Sequence, residues 1–139
     1  MALNITYTAA KSYTAEQLRE LFSSVGWLTA NYPNKLVSAL EHSETVFTAW
    51  DGEKLVGLIN ALDDGVLTAY VHFLLVHPDY QGLGIGKELL ARVKERYSEY
   101  LYLMLVSDSD RSKAFYIREG FRFVEGTAVM AIQKPVAED

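Results

Sequence analysis

The feature that most constrains this fold is a strand, a helix and a second strand in immediate succession. Residues 66–77 are rich in leucine, aromatic and β-branched side chains, which predicts a long strand that Pro78 ends. After a glycine-rich turn, apolar residues recur at helical intervals over residues 85–97. Residues 101–106 then form the continuous apolar run typical of a strand buried on both faces. Two strands joined in this way pair in parallel through a right-handed crossover.

Shorter elements are predicted before this unit. The alternation of apolar and polar residues over 4–9 predicts a half-buried strand. Thr14 and Gln17 have the spacing of a capping box, for a helix that stops at Gly26. Pro33 suits the first position of a second helix, where a missing N–H costs nothing.

Paired strands complete the pattern. Asp51-Gly52 is a strong hairpin signal, and Gly120 ends a predicted helix over residues 110–119. Further strands are expected at residues 46–50, 55–61, 121–124 and 128–133. The expected fold class is therefore α+β, with a central mixed and mostly antiparallel sheet, one parallel βαβ unit and flanking helices.

Composition and charge restrict the possible functions. With 139 residues, of which 50% are hydrophobic, the chain suits a single domain over residues 1–139. It has no cysteine, which excludes disulfides, thiolate catalysis and cysteine-ligated zinc, and no metal is expected. The net charge of -5 without a basic cluster argues against nucleic acid as a partner, and no apolar run reaches the ~20 residues of a membrane span. The first residues lack a leader pattern, so a cytoplasmic location is the default expectation.

The glycine-rich turn, Gln81-Gly82-Leu83-Gly84-Ile85-Gly86-Lys87, joins the long strand to the helix. Glycines let the backbone turn tightly and approach a ligand, and a helix start offers unpaired N–H groups, so the segment suits either a phosphate or a tight turn alone. A dinucleotide-binding loop would need glycine at Lys87, and a Walker loop would need glycine at Gln81 and Ser or Thr at Glu88. Both of these phosphate loops are excluded.

A third pattern fits the turn. Gln81 to Gly86 match the Q/R-x-x-G-x-G/A pyrophosphate loop of the GNAT superfamily of N-acetyltransferases, after a strand and before a long helix as in that family. Residues 114–121 are similar to the family's last helix, with its tyrosine, three residues and then Gly-Phe. The resemblance covers nearly the whole chain. It implies the GNAT fold, acetyl-CoA as cosubstrate, and acetyl transfer to an amine by direct attack in a ternary complex.

The same resemblance implies the cofactor contacts. Backbone N–H groups of the turn would hold the CoA pyrophosphate, and the long strand would pair with the pantetheine arm through its backbone. The N–H of Val76 would bind the oxyanion. Ser109 stands where many relatives have Asn, and Ser112 where Ala is common. The implied cofactor-binding residues are Leu74, Leu75, Val76, Gln81, Gly82, Leu83, Gly84, Ile85, Gly86, Lys87, Ser109 and Ser112.

Tyr116 and His72 are the implied catalytic residues. Tyr116 aligns with the tyrosine that protonates the leaving thiolate in many relatives, and its alternative role is that of a core tyrosine. The strand resembles that of arylalkylamine N-acetyltransferase, where a histidine at the His72 position is one of two proposed bases and the second falls at Tyr70. A neutral imidazole suits base work at pH 7, although a strand histidine can equally be structural. His77 is expected to complete the following turn, and His42 to face solvent.

The acceptor site is less specified. Gly26-Trp27 and residues 55–65 resemble a subgroup of small bacterial and plastid acetyltransferases, some of which act on aromatic amines. Trp27, Tyr32 and Asp64 are the expected substrate residues; the alternative is that Trp27 covers the core and Asp63-Asp64 makes a solvated turn. A small-molecule amine is the expected acceptor. A protein or peptide N-acetyltransferase and a non-catalytic CoA-binding sensor stay open as alternatives, as does a homodimer formed by strand addition.

Overall fold

The structure, a computed structural model, describes residues 4–139; residues 1–3, on which part of the leader expectation falls, lie outside it. The strands in this range are β1 (Ile5–Thr8), β2 (Thr45–Asp51), β3 (Lys54–Asp63), β4 (Thr68–Val76) and β5 (Tyr102–Leu105). The helices are α1 (Ala15–Ser24), α2 (Pro33–Glu41), α3 (Ile85–Arg96) and α4 (Asp110–Arg118), with short 3-10 turns at Leu28–Asn31 and Pro78–Tyr80. No helix within residues 4–139 combines the length and apolar character needed to cross a bilayer.

The strands form one sheet in the order β1-β2-β3-β4-β5, so each strand lies beside its neighbour in sequence. The first three pairings are antiparallel. β4 and β5, which α3 connects, pair in parallel because a crossover helix returns the chain to the same end of the sheet. The expected mixed, mostly antiparallel sheet with one βαβ unit is confirmed.

Helices cover both faces of the sheet. Leu18 and Phe22 of α1 and Leu40 of α2 are fully buried in one cluster. Leu89 and Val93 of α3 are fully buried in a second cluster. Each apolar stripe predicted from helical spacing therefore packs against the sheet, and this burial is the main source of stability.

Helix α3 lies close to β3 at Gly57. A Cβ built on Gly57 would lie 3.0 Å from Ile85 Cγ2 and 3.2 Å from Leu89 Cδ1. Because Ile85 is the first residue of α3, the missing side chain lets the start of the helix and the preceding glycine turn sit against the sheet.

Strands β4 and β5 separate half-way along β4. Thr68 to Val71 pair with Tyr102 to Leu105, and β5 ends there. β4 continues to Val76 while still paired with β3 on its other side. The second half of β4 therefore has a backbone edge without a strand partner, next to the glycine turn.

Two expectations about the end of the chain are wrong. Residues 121–124 and 128–133 form no strand, because strand structure requires a paired ladder and neither segment joins the sheet. β5 is not buried on both faces, since it is an edge strand whose Tyr102 and Met104 are 54% and 46% exposed. At the end of the chain, the Asp139 carboxylate accepts hydrogen bonds from two N–H groups in the first turn of α2.

Candidate active site

The glycine turn forms the start of α3. Gly82 and Gly84 have φ angles of 80° and 84°, the left-handed region that favours glycine, and Gly84 is the N-cap of the helix. No side chain caps this end. The N–H groups of Ile85, Gly86 and Lys87, the first turn of the helix, therefore stay available to an anionic ligand.

A cleft of about 510 Å³ opens in front of these N–H groups, and we call it the glycine-loop cleft. It runs between the second half of β4, the glycine turn and α4. Every cofactor-binding residue implied by the sequence resemblance lines it except Leu83, which is 56% exposed. Tyr116, which the same resemblance implies as catalytic, lines it too, and the structure adds four lining residues that sequence reasoning missed: Tyr80, Arg111, Phe115 and Arg118.

The missed residues of α4 have a signal in the sequence. Arg111, Phe115 and Arg118 follow one another at four and three positions, which places them on one helix face. The glycine-loop cleft has three cationic side chains among its lining residues, Lys87, Arg111 and Arg118, and no acidic one. The cleft is therefore suited to a ligand that carries several negative charges.

The unpaired edge of β4 presents its backbone to this cleft. The N–H of His77 donates to the Val56 carbonyl on β3 at 2.8 Å. Because successive N–H groups along a strand point in opposite directions, the N–H of Val76 points away from β3. The Val76 carbonyl on the same side accepts from Gln81 Nε2 at 3.0 Å, which ties the glycine turn to the strand edge.

Three serines shape the far side of the cleft. Ser109 is the N-cap of α4, where its Oγ accepts from the Ser112 N–H at 3.1 Å in a capping box. Ser112 Oγ lies 2.6 Å from Ser107 Oγ, before the helix. Ser109 therefore caps α4, and the small side chain of Ser112 leaves the cleft open beside it.

Tyr116 lies at the inner end of the glycine-loop cleft, on the last turns of α4. Burial, with a further contribution from the negative charge of Asp108, raises the pKa of Tyr116 to about 12. The phenol is thus protonated at neutral and moderately alkaline pH. A protonated hydroxyl at this position can donate a hydrogen bond to an anionic sulfur or oxygen.

A β-bulge places His72. Asn60 of β3 faces Phe73, and the next residue of β3 faces Val71, so His72 is the extra residue of β4. Asn60 is 1% exposed and holds the bulge. Its Oδ1 accepts from the Phe73 N–H at 2.8 Å, and its Nδ2 donates to Ser43 Oγ at 3.0 Å.

His72 lines a second, smaller cleft of about 290 Å³, which we call the His72 cleft. Trp27, Asp108 and Tyr116 also line it, and it shares Leu74 to Val76 with the glycine-loop cleft. The imidazole is open to this cleft, yet the surrounding protein partly desolvates it, which lowers the pKa of His72 below its usual value. The ring is therefore a neutral base at pH 7.

The two other expected acceptor residues lie elsewhere. Asp64 makes a turn, in which one carboxylate oxygen accepts from the N–H groups of Val66, Leu67 and Thr68. These hydrogen bonds keep the pKa of Asp64 below its usual value. Tyr32 is the cap residue between the first 3-10 turn and α2. Neither residue lines the glycine-loop cleft or the His72 cleft.

The other two histidines behave as expected. His77 Nδ1 accepts from the Asp79 N–H at 3.1 Å and completes the turn after β4. His42 lies exposed at the end of α2, with its Nδ1 2.8 Å from the Ser38 carbonyl oxygen. Within residues 4–139, no three His, Asp or Glu side chains come together as metal ligands would.

Comparison with known proteins agrees with this geometry. Residues 9–131 match a family model described as an acetyltransferase (GNAT) domain. An uncharacterised N-acetyltransferase of Porphyra purpurea is 31% identical over 117 residues, which are 80% of this chain and 66% of that protein. A chloroplastic serotonin N-acetyltransferase of Oryza sativa is 35% identical over 80 residues, which are 55% of this chain and 40% of that protein. The solved structure of a GNAT-family acetyltransferase from Streptococcus pneumoniae superposes with a TM-score of 0.82 at 29% identity, covering 95% of this chain and 100% of that one.

Proposed function

The chain belongs to the GNAT acetyltransferase family, and from this premise we propose that it transfers the acetyl group of acetyl-CoA to the primary amine of a small molecule. The amine attacks the thioester directly, in a ternary complex of enzyme, acetyl-CoA and acceptor. Residues 1–139 act as one acetyltransferase domain in this proposal, which the family match over residues 9–131 supports.

The observation that carries the proposal is the meeting of two clefts at Tyr116. The glycine-loop cleft is cationic and bordered by free backbone N–H groups, and the His72 cleft holds a neutral imidazole. Both are lined by Leu74 to Val76 and by Tyr116. A donor entering one cleft and an acceptor entering the other would therefore meet beside the same phenol.

The residues of the glycine-loop cleft fit acetyl-CoA. The N–H groups of Ile85, Gly86 and Lys87 would hold the diphosphate at the helix N-terminus, and Arg111 and Arg118 add positive charge. The free edge of β4 would pair with the amide groups of the pantetheine arm as an added strand does. When bound there, acetyl-CoA supplies an activated carbonyl and a thiolate leaving group.

The acceptor has to lose a proton before it can attack. An alkylamine with a pKa near 10.4 is protonated at pH 7, and making it neutral costs about 4–5 kcal/mol. In our proposal His72 removes this proton, directly or through one water, because its ring is neutral and open to the cleft.

Two groups stabilise the charge that develops during transfer. The N–H of Val76, turned away from β3, would bind the carbonyl oxygen as the new C–N bond forms. Tyr116 donates its proton to the sulfur as the C–S bond breaks, so the thiol is released protonated. The ammonium loses two protons in all. The first goes to His72 before the attack and from there to solvent, and the second leaves the nitrogen after the C–N bond has formed and restores the Tyr116 phenol through solvent.

A thiol-release assay tests the proposal. Purified protein is mixed with acetyl-CoA and a panel of small amines and peptides, and free thiol is followed over time. We expect turnover on at least one small amine. Turnover confined to peptides would replace the proposal with a protein acetylase, and coenzyme A binding without any turnover would replace it with a sensor.

A pair of glycine variants tests the cofactor contact by calorimetry with coenzyme A. Gly84→Asp places a carboxylate at the N-cap in front of the diphosphate, and we expect binding to be lost. Gly126→Asp is the matched control, because Gly126 has a similar φ of 77° but lies in the C-terminal segment, outside the cleft. Equal binding by both variants would contradict the assignment.

A further inference from the structure

The two clefts carry opposite charges. Lys87, Arg111 and Arg118 line the glycine-loop cleft, and no acidic residue does. In the His72 cleft, the one charged side chain at neutral pH among the lining residues is Asp108, since His72 and Tyr116 are both neutral there. Each cleft therefore favours a different class of ligand.

We infer that Asp108 selects the acceptor, and that the acceptor is a small amine which arrives as a cation and carries no carboxylate beside its amino group. This inference rests on the proposed function, because it concerns the acceptor of the same reaction. It excludes free α-amino acids as good substrates and admits their decarboxylated counterparts.

The position of Asp108 supports this role. β5 ends at Leu105 and α4 begins at Asp110, and Val106 and Asp108 of the segment between them line the His72 cleft. Asp108 is exposed, yet its negative charge acts on the Tyr116 phenol and contributes to the raised pKa of that group. The carboxylate therefore stands both at the entrance and near the reacting atoms.

Asp108 is also free to bind a ligand. The ion pairs within residues 4–139 join other side chains, and none of them engages Asp108. Its near neighbour Asp110 differs, since Asp110 Oδ1 lies 3.7 Å from Lys113 Nζ and its side chain points into solvent. A carboxylate without a partner at the mouth of a cleft attracts cations and repels a second carboxylate.

The other walls of the His72 cleft are apolar or uncharged, and Gln81 and Ser112 are the polar side chains among them. Val25, Trp27 and Val106 line it together with part of β4. No Lys or Arg is among the lining residues, so an acceptor carboxylate would find no counter-ion. The charged nitrogen would be drawn to Asp108 at the mouth and would then give its proton to His72 inside the cleft.

The test uses matched triplets that differ in one group: 2-phenylethylamine, phenylalanine and 2-phenylethanol, and likewise pentylamine, norleucine and pentanol. The amines and amino acids are assayed as acceptors, and the neutral alcohols as competitive inhibitors. Any other amine that the panel identifies is compared with its own amino acid and alcohol in the same way. For the wild type we expect kcat/KM for the amine to exceed that for the amino acid at least tenfold.

Three variants separate this role from a structural one. Asp108→Asn should lower kcat/KM for the amine about two- to fivefold, the size expected for an ion pair with an exposed carboxylate, and leave inhibition by the alcohol unchanged. Asp108→Glu should restore most of the activity. Asp110→Asn is the control and should change neither value.

Two outcomes would overturn the inference while leaving the proposed function intact. In the first, Asp108→Asn weakens inhibition by the alcohol and lowers kcat/KM for the amine by the same factor, or it leaves the ratio of kcat/KM between amine and amino acid unchanged. In the second, the wild type turns over amino acids as well as amines. Absence of turnover on every amine would instead remove the proposed function itself, so the two failures are distinguishable.

Discussion

Replacing Tyr116 by phenylalanine tests the role of its hydroxyl in the departure of the thiolate. With a pKa of about 12, the phenol is a weaker acid than a thiol near 8.5. The difference of about 3.5 units makes full proton transfer in the resting complex uphill by roughly 5 kcal/mol. In the proposed reaction the hydroxyl would therefore act first as a hydrogen-bond donor to the developing thiolate, and the proton would follow as the C–S bond breaks.

The size of the effect follows from this role. A hydrogen bond to a charged group contributes about 1.5–3 kcal/mol, so kcat of Tyr116→Phe should fall ~10–150-fold. The affinity for coenzyme A should stay within about a factor of two, because the proposed diphosphate contacts are N–H groups at the start of α3, whereas Tyr116 lies on α4. The measurement combines thiol-release kinetics at saturating substrates with calorimetry.

Tyr102→Phe is the matched control, since Tyr102 lies on β5, is exposed, and lines neither of the two clefts. Its kcat should equal that of the wild type. The raised pKa of Tyr116 also predicts how the rate depends on pH. Because ionisation begins only well above pH 10, the wild-type rate should show no alkaline loss from this group up to about pH 10. An unchanged kcat in Tyr116→Phe, or an equal fall in both variants, would refute the reasoning.

Two further predictions concern the base and the packing beneath the glycine turn. Burial lowers the pKa of His72 below its usual value of 6.5, so the ring gains its proton only at a lower pH. The value of kcat/KM should therefore fall on the acid side with a midpoint below pH 6.5. In His72→Asn this acid limb should be absent, and the rate on the plateau should be lower by roughly 100-fold. An identical acid limb in the variant would assign the base elsewhere. Gly57→Ala should cost about 1–3 kcal/mol in urea unfolding, because its Cβ would lie 3.0 Å from Ile85 Cγ2 and α3 must move. Gly86→Ala is the control, since its Cβ would meet its nearest neighbour, Val76 Cγ2, at an ordinary 3.7 Å, and equal losses in the two variants would contradict this account of α3.

The centre of the fold could be predicted because its signals are local. Proline after β4, glycines before α3 and the helical spacing of Leu89 and Val93 each fix a boundary or a face within a few residues. The glycine-loop cleft follows from the same short segment. Strand pairing is not local, and residues 128–133 show why: their apolar character indicates a strand, but no edge of the sheet takes them up.

The acceptor side could be predicted only in part for a related reason. Asp108 sits in a short polar segment whose importance depends on where β5 stops and how the chain turns into α4, which no periodicity records. Asp64 carries the same carboxylate, but its Oδ1 accepts hydrogen bonds from the backbone of its own turn. The family resemblance could single out His72, whereas the bulge in which His72 is the extra residue shows only in the pairing of β3 with β4.

The extra residue in the bulge also determines how a deletion in β4 would affect the packing of the strand. Val71 belongs to the core cluster beside α3, and Phe73 to the cluster beside α1. Residues with odd numbers therefore face α3 before position 72 and face α1 after it. A chain lacking this one residue would alternate regularly and would keep each remaining side chain on its present side. Deletion of His72 would therefore keep the apolar side chains of β4 on their present faces, at the expense of the buried hydrogen bond between Asn60 and the Phe73 N–H. The same deletion would remove the imidazole that we propose as the base.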